Sequence, residues 1–321
     1  MTVPELAGLA GAGACASAFL AWAVRGRASS VFGPSVHHGP SGRKAIALTF
    51  DDGPSESTPR VLELLDKYHT PATFFQIGAN VERLPEIARA VHAAGHEIGN
   101  HSHMHPLFCL HSAEFIYREF ARAQRAIADA TGCSPTLLRA PFGARWFGFR
   151  QAQRRLGLQG VMWTAIGYDW KLKADTIVGR MVAGAANGAI LCLHDGREVR
   201  ANPDIRETVA AVGRLIPALR DLGYEFDTVS RLFMSDELIE RVRKVIATSK
   251  RIPEDRVTID SPFEELGVDS MDAVEILFAL ENEFDISIPD EEVKSVRNVR
   301  QMVEGVERLL AAKSAGTPTA Q

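Results

Sequence analysis

Residues 45–54 read AIALTFDDGP. Ala45, Ile46, Ala47, Leu48 and Phe50 make an apolar, β-compatible run, and Gly53-Pro54 stops the strand at once. Two adjacent carboxylates, Asp51 and Asp52, are thereby delivered to a strand end. Successive strand residues point to opposite faces, so the two sit close together but aim differently. One can hold a metal while the other works as a base. A solvated acidic turn is the plainer reading of these residues alone.

Working outward, residues 44–232 alternate between short apolar runs and helix-like stretches. The spacing predicts strands at 45–50, 72–78, 96–101, 137–140, 159–166, 188–193 and 225–229, with helices at 58–68, 81–94, 112–131, 175–186 and 204–222. Such alternation implies a parallel sheet with helical crossovers, and seven strands suggest a closed or nearly closed barrel. In that architecture the active-site residues come from the C-terminal ends of strands.

Four further clusters fall at predicted strand ends. HEIGNHSHMHP, residues 96–106, offers His101 and His105, four apart and on one face if the backbone turns helically, with His103 aimed elsewhere. Two imidazoles and a carboxylate are the minimum for a catalytic metal with open positions, although a histidine cluster also serves as a surface turn. In LLRAPFG, residues 137–143, Arg139 precedes a forced turn and would keep a neighbouring carboxylate ionised and oriented, or make a structural salt bridge. Tyr168-Asp169-Trp170 follows the strand at 159–166. GAILCLHDG, residues 188–196, ends a strand in His194 and Asp195, and a histidine beside a carboxylate is a candidate general acid.

Taken together, TFDDGP, HSHMH, RAPFG, YDW and LCLHD give residues 44–232 a resemblance to the polysaccharide deacetylase family, carbohydrate esterase family four. The resemblance implies a distorted (β/α) barrel that hydrolyses N-acetyl, sometimes O-acetyl, groups on sugars with a divalent metal, zinc being expected. Carried over by position, Asp51 is the base and Asp52, His101 and His105 are the metal ligands. Arg139 braces Asp51, Asp169 orients the general acid His194, and Pro141, Trp170 and Leu193 line the substrate site. Two positions depart from the family pattern. Ile166 stands where an Asp is frequent, and Cys192 where Leu is usual.

The remaining sequence is of two kinds. Residues 6–24 are uncharged and rich in Ala, Gly and Leu, just long enough for a spanning helix. No Lys or Arg precedes them, while Arg25 and Arg27 follow, which by the positive-inside tendency predicts an anchor (residues 1–27) with the body in the cytoplasm. A cleaved or buried segment, and an extracytoplasmic body, are the alternatives. Residues 28–43, rich in Gly, Pro and Ser, read as a linker.

Toward the C-terminus, residues 254–292 hold fourteen Asp or Glu against one basic residue, Arg256. Residues 235–312 show a helical stripe, a Pro-containing loop, a second helix from Ser270 with Met271, Val274, Ile276, Leu277 and Leu280 as its buried face, and a last helix near 298–312; residues 313–321 read as a tail. Ser270 is exposed there between acids and could simply cap the helix. LGVDSMDAVEI, residues 266–276, resembles the attachment motif of acyl carrier proteins. That resemblance implies a small all-α four-helix domain, 4′-phosphopantetheine on Ser270 added by a phosphopantetheinyl transferase, and acyl-transfer enzymes docking on the acidic helix.

A net charge of −4 over 321 residues argues against general nucleic-acid affinity. Four cysteines without paired spacing make neither a disulfide framework nor a zinc knuckle and agree with a reducing compartment. The fusion therefore predicts a bacterial deacetylase of an amino-sugar or glycan intermediate, coupled to a carrier that supplies an acyl chain. The other readings are a carrier and docking protein whose barrel only binds sugar, and an amide hydrolase acting on cargo tethered to the carrier.

Overall fold

The computed structural model describes residues 15–233, 236–259, 261–289 and 296–314. The chain divides into two compact units between Leu232 and Phe233.

The first unit opens with helix α1 (residues 15–25). Its strands are β1 (Ser35–Val36), β2 (Ala45–Asp51), β3 (Thr73–Gln76), β4 (Glu97–Asn100), β5 (Leu137–Leu138), β6 (Gln159–Val161), β7 (Ala165–Ile166), β8 (Ile190–His194) and β9 (Glu225–Asp227). Between them run α2 (Thr58–Lys67), α3 (Gly78–Arg83), α4 (Pro85–Ala93), α5 (Ala113–Thr131), α6 (Phe149–Leu156), α7 (Ala174–Ala183) and α8 (Arg206–Asp221), with α9 (Val229–Phe233) after β9. All strand pairs are parallel, in the order β1-β6-β5-β4-β3-β2-β8-β7, and β9 pairs with the first half of β2. Between the edge strands β1 and β7, a bridge from His38 to Ala189 and a hydrogen bond from Thr164 Oγ1 to the His37 carbonyl (2.7 Å) span the gap. A curled parallel sheet wrapped in helices is the distorted (β/α) barrel that the motifs imply.

Every residue of β2 is buried, as expected of a central parallel strand covered on both faces. The main core lies between the sheet and its helices, with Ile46, Leu48, Phe50, Phe74, Leu191 and Leu215 fully enclosed. Helix boundaries follow local chemistry. Pro85 separates α3 from α4, where one helix at 81–94 was expected. Ser112 caps α5 by accepting from the Phe115 amide, and Gly132 ends it at φ 74°.

Two expectations need correction. The stretch 28–43 is not merely a linker, because Ser35 and Val36 pair in register with Gly160 and Val161 of β6. The strand expected at 159–166 is two strands: β6 lies between β1 and β5, whereas β7 pairs with β8 on the opposite edge. Part of the 6–24 segment lies outside the described residues. Among the described residues no helix is long and apolar enough to cross a membrane.

The second unit holds α10 (Asp236–Lys250), α11 (Ser270–Phe284) and α12 (Val299–Ser314) around a core that includes Val242, Ile246, Ile276, Leu280, Val303 and Val306. The short turn expected after Pro289 falls mostly on residues outside those described. Helix α12 continues to Ser314, into the region expected to be tail. Met271 and Val274 do not face this core. They are exposed, and Phe284 fills the end of the buried stripe instead. With 3.6 residues per turn, positions 276, 280 and 284 share one face, and 271, 274 and 278 lie on another.

Candidate active site and carrier site

Strand β2 ends at Asp51, and the chain then turns sharply at Asp52, which has φ 72°. An aspartate tolerates this left-handed conformation better than most residues. The turn aims the two carboxylates at different partners. Gly53 makes it possible, since a Cβ there would meet Asp195 Oδ2 at 2.3 Å.

Arg139, just beyond β5, is fully buried. Its guanidinium donates to Asp51 Oδ1 (2.6 Å), Thr49 Oγ1 (2.8 Å) and the carbonyls of Met162 (3.1 Å) and Val161 (3.4 Å), and lies 4.0 Å above the Phe75 ring. A buried charge so surrounded is compensated on all sides. Asp51 is thus held by one oxygen. The other lies 3.5 Å from Cys192 Sγ and 3.9 Å from His101 Nε2.

Asp52 Oδ1 sits 3.5 Å from His101 Nε2 and 3.2 Å from His105 Nε2, yet no hydrogen bond satisfies it although it is buried. His101 Nδ1 donates to the Arg139 carbonyl (2.9 Å), since a carbonyl only accepts, and this contact orients the ring so that Nε2 is the nitrogen turned toward Asp52. Burial pushes His105 down to about 4, so its imidazole is neutral, the form that binds metal. Burial would raise Asp52, but His101, His105 and His194 together hold it well below the usual carboxylate range. Two imidazole nitrogens turned toward a carboxylate oxygen that has no hydrogen-bond partner fit a divalent metal of the zinc type. The three ligand atoms lie within 4.8 Å of one another.

The imidazoles converge by a different route from the helical turn expected. No helix forms at 101–105; Ser102 (φ 64°) and His105 (φ 56°) adopt left-handed conformations, and Ser102 Oγ accepts from the His105 amide (3.1 Å). His103 points away, its side chain near Glu82 of α3.

His194, ending β8, meets Asp169 through Nδ1 (2.8 Å). Burial would lower its pKa, but Asp169, with Asp52 and Asp51, raises it to about 9. Asp169 also accepts from Thr208 Oγ1 (2.6 Å) and the His194 amide (3.0 Å), and Arg197 lies 3.7 Å away. Asp195, the carboxylate next in sequence, faces the other way. It accepts from Thr58 Oγ1 (2.6 Å), and burial raises it to about 7. Trp170 is half-exposed and edge-on to His194 (ring centroids 5.0 Å apart). Pro141 is buried in the loop after Arg139, and Leu193 lies inside the main core cluster.

Sequence reading missed Thr208 and Arg197, which hold Asp169 from α8 and the loop before it. A threonine in a helix and an arginine in a loop carry no local signal of that role.

In the second unit, Asp269 caps α11, accepting from the amides of Met271 and Asp272 (both 2.8 Å) while Asp272 accepts from the Asp269 amide (2.9 Å). Ser270 is therefore not the cap. It stands exposed at the first helical position.

Both units match known families. Residues 38–161 match the family described as polysaccharide deacetylase, and residues 240–306 that described as phosphopantetheine attachment site. The chain is 36% identical over 207 residues to a peptidoglycan-N-acetylglucosamine deacetylase of Listeria monocytogenes, covering 64% of this chain but only 42% of that protein. It is 37% identical over 201 residues to a chitooligosaccharide deacetylase of Bradyrhizobium, covering 60% of this chain and 92% of that one. Among solved structures, a family 4 carbohydrate esterase from Streptomyces lividans in complex with acetate superposes with a TM-score of 0.52 at 33% identity, covering 57% of this chain and 91% of that one.

Proposed function

The chain belongs to the polysaccharide deacetylase family, and from that premise we propose that it is a metal-dependent hydrolase removing an N-acetyl group from an amino sugar in a glycan or glycan precursor. The observation that carries this reading is the convergence, at the ends of one sheet, of a braced carboxylate, an unpaired ligand triad and a carboxylate-held histidine. Asp52, His101 and His105 would hold the metal, which when bound supplies Lewis acidity to the acyl carbonyl and the attacking water. Asp51, fixed by Arg139 through one oxygen, accepts the water's proton on the other. His194 donates to the departing nitrogen, which leaves poorly as an anion, and Asp169 keeps Nδ1 protonated so that Nε2 delivers the proton. Trp170 walls the sugar beside His194, and Pro141 bounds the acyl pocket, while Leu193, enclosed in the core on the other face of β8 from Asp51 and Cys192, does not.

The carrier unit extends the reaction. Ser270, exposed at the start of α11, receives 4′-phosphopantetheine from a transferase, and the arm brings an acyl chain to the amine that deacetylation frees. Attachment by a cytoplasmic transferase supports a cytoplasmic body associated with the membrane through the N-terminal segment. The relatives named for peptidoglycan and chitooligosaccharides support an N-acetylglucosamine-type substrate.

His101→Ala tests the chemistry: acetate release from a chitooligosaccharide should fall about 10³-fold or more, and chelation should do the same to the unaltered protein until metal is returned. Retained activity in His101→Ala would refute the mechanism.

A further inference from the structure

Three segments of the first unit meet beside the metal triad. The end of α1 packs through Ala23 and Val24 on Ala144 and Phe32, with Cys109 and Trp146 against the same cluster. Buried Arg145 fastens the contact, its amide donating to the Val24 carbonyl (3.0 Å) and its guanidinium to the carbonyls of Ser29 (2.6 Å) and Gly26. Phe32 packs at a tilt against Trp146 (ring centroids 5.3 Å apart) and edge-on to Phe147 (4.8 Å). The loop holding Arg145 also holds Phe142, whose ring lies 4.5 Å from that of His105. The N-terminal segment is thus fixed to the rim of the site.

That rim is apolar and bare. Leu110 is 90% exposed, Phe147 66% and Phe19 58%, with Trp22, Leu107 and Phe142 each more than 40% exposed. Single exposed apolar residues need no explanation, but a cluster this dense marks an interaction surface. Residues 15–33, 104–111 and 141–150 contain no Asp or Glu, in a chain whose net charge is −4. They contain four Arg, of which Arg25, Arg27 and Arg150 are exposed.

We propose that this rim seats the mouth of the deacetylase site on an anionic lipid surface, so that the enzyme takes an N-acylated amino sugar carried on a lipid. Three features select a bilayer over a protein partner. The sequence entering α1, residues 6–14, is uncharged and apolar. Phe and Trp side chains suit the interface between headgroups and acyl chains. Exposed arginines on segments that hold no Asp or Glu complement anionic headgroups. Because the rim reaches Phe142 and His105, apolar contact at α1 also brings the metal triad to the lipid boundary. The substrate class rests on the deacetylase reading; the lipid seat does not.

The test uses the full chain and vesicles of phosphatidylcholine with and without phosphatidylglycerol. The unaltered protein should sediment with the anionic vesicles, and Leu110→Asp/Phe147→Asp should bind them about tenfold or more weakly. Both side chains are exposed, and a thermal melt verifies the fold. Acetate release from a soluble chitooligosaccharide should be unchanged in the double variant, whereas release from a lipid-linked N-acetylglucosamine in the same vesicles should drop with binding. Binding that the double variant leaves intact would overturn the proposal, as would failure of the unaltered protein to bind either vesicle. A lipid-free dimer dissolved by the same substitutions would show that the rim meets a second copy and would overturn it too. Vesicle binding without hydrolysis of the soluble sugar would refute the deacetylase reading and leave the seat standing.

Discussion

The barrel and the carrier unit both place a reactive side chain where a secondary-structure element ends or begins, and they treat it in opposite ways. Asp51, Asp52 and His194 stand at strand ends, the two carboxylates buried and the imidazole partly so, and are held by partners from distant parts of the chain; Arg139 reaches Asp51 across 88 residues. Ser270 stands in the open, and the residues that order its surroundings, Asp269 and Asp272, are its immediate neighbours. The difference follows from the chemistry. A hydrolase must orient acid, base and metal before substrate arrives, and preorganisation in a water-poor site strengthens each interaction. A modification serine needs only to be reached by another enzyme. The barrel's site should therefore be costly to perturb and the carrier's tolerant.

The sharpest break of that contrast is His194→Ala, which should lower the rate about 10²- to 10⁴-fold, the range for loss of a general acid. Ser270→Ala, assayed on the same soluble sugar, should leave acetate release unchanged while abolishing the phosphopantetheine mass increment. Equal losses in both variants would mean that the barrel depends on the carrier even for chemistry.

Arg139→Ala should come next. It strands Asp51 without its main partner in a buried site, which costs about 3–5 kcal/mol of stability. Chemical denaturation read by circular dichroism measures the loss, and a cost near that of a surface ion pair would refute the picture of a buried, over-determined base.

The pH dependence of stability sharpens the same point. His194 has a folded pKa of about 9 against an ordinary 6.5. Its protonated form is favoured by the fold, so its stabilising contribution is fully present below the unfolded value and is lost as pH rises through about 9. Thermal melts of metal-free protein across that window should show the decline, and Asp169→Asn should flatten it. An unchanged slope in Asp169→Asn would detach His194 from Asp169.

How much of this was legible depends on the range of the interactions. The ends of β2 and β8 could be read because a fully buried parallel strand leaves a continuous apolar run with polar residues just past it. The strand at Ser35–Val36 could not, since two residues amid glycine and proline are strands only through their pairing with β6. His101 and His105 were visible as a pair, but the left-handed Ser102 and His105 that bring them together leave no periodic trace. By adjacency alone Asp195 would be the partner of His194. Asp169 displaces it because the chain folds back from β7, a fact of topology that motif comparison supplied and local pattern did not. On α11 the expected buried face held for Ile276 and Leu280 but not for Met271 and Val274, which are exposed along with Phe278. An apolar residue meant for a partner has the same hydrophobicity as one meant for the interior.

The smallest expected effect tests the carrier side. Asp269 caps α11 with two amide contacts, and the return contact from Asp272 completes the box. Asp269→Ala removes the cap's acceptor and should cost about 1 kcal/mol, since the freed amides lie at an exposed terminus where water replaces the lost oxygen. The unfolding transition of the second unit should shift slightly, while acetate release by the barrel should not change. The informative readout is modification of Ser270. If the cap only stabilises the helix, the transferase should label Asp269→Ala nearly as fast as the unaltered protein once both are folded. A much larger loss of labelling would show that the serine's local frame is preorganised for its enzyme. The carrier would then share, on a shorter range of sequence, the design principle of the barrel.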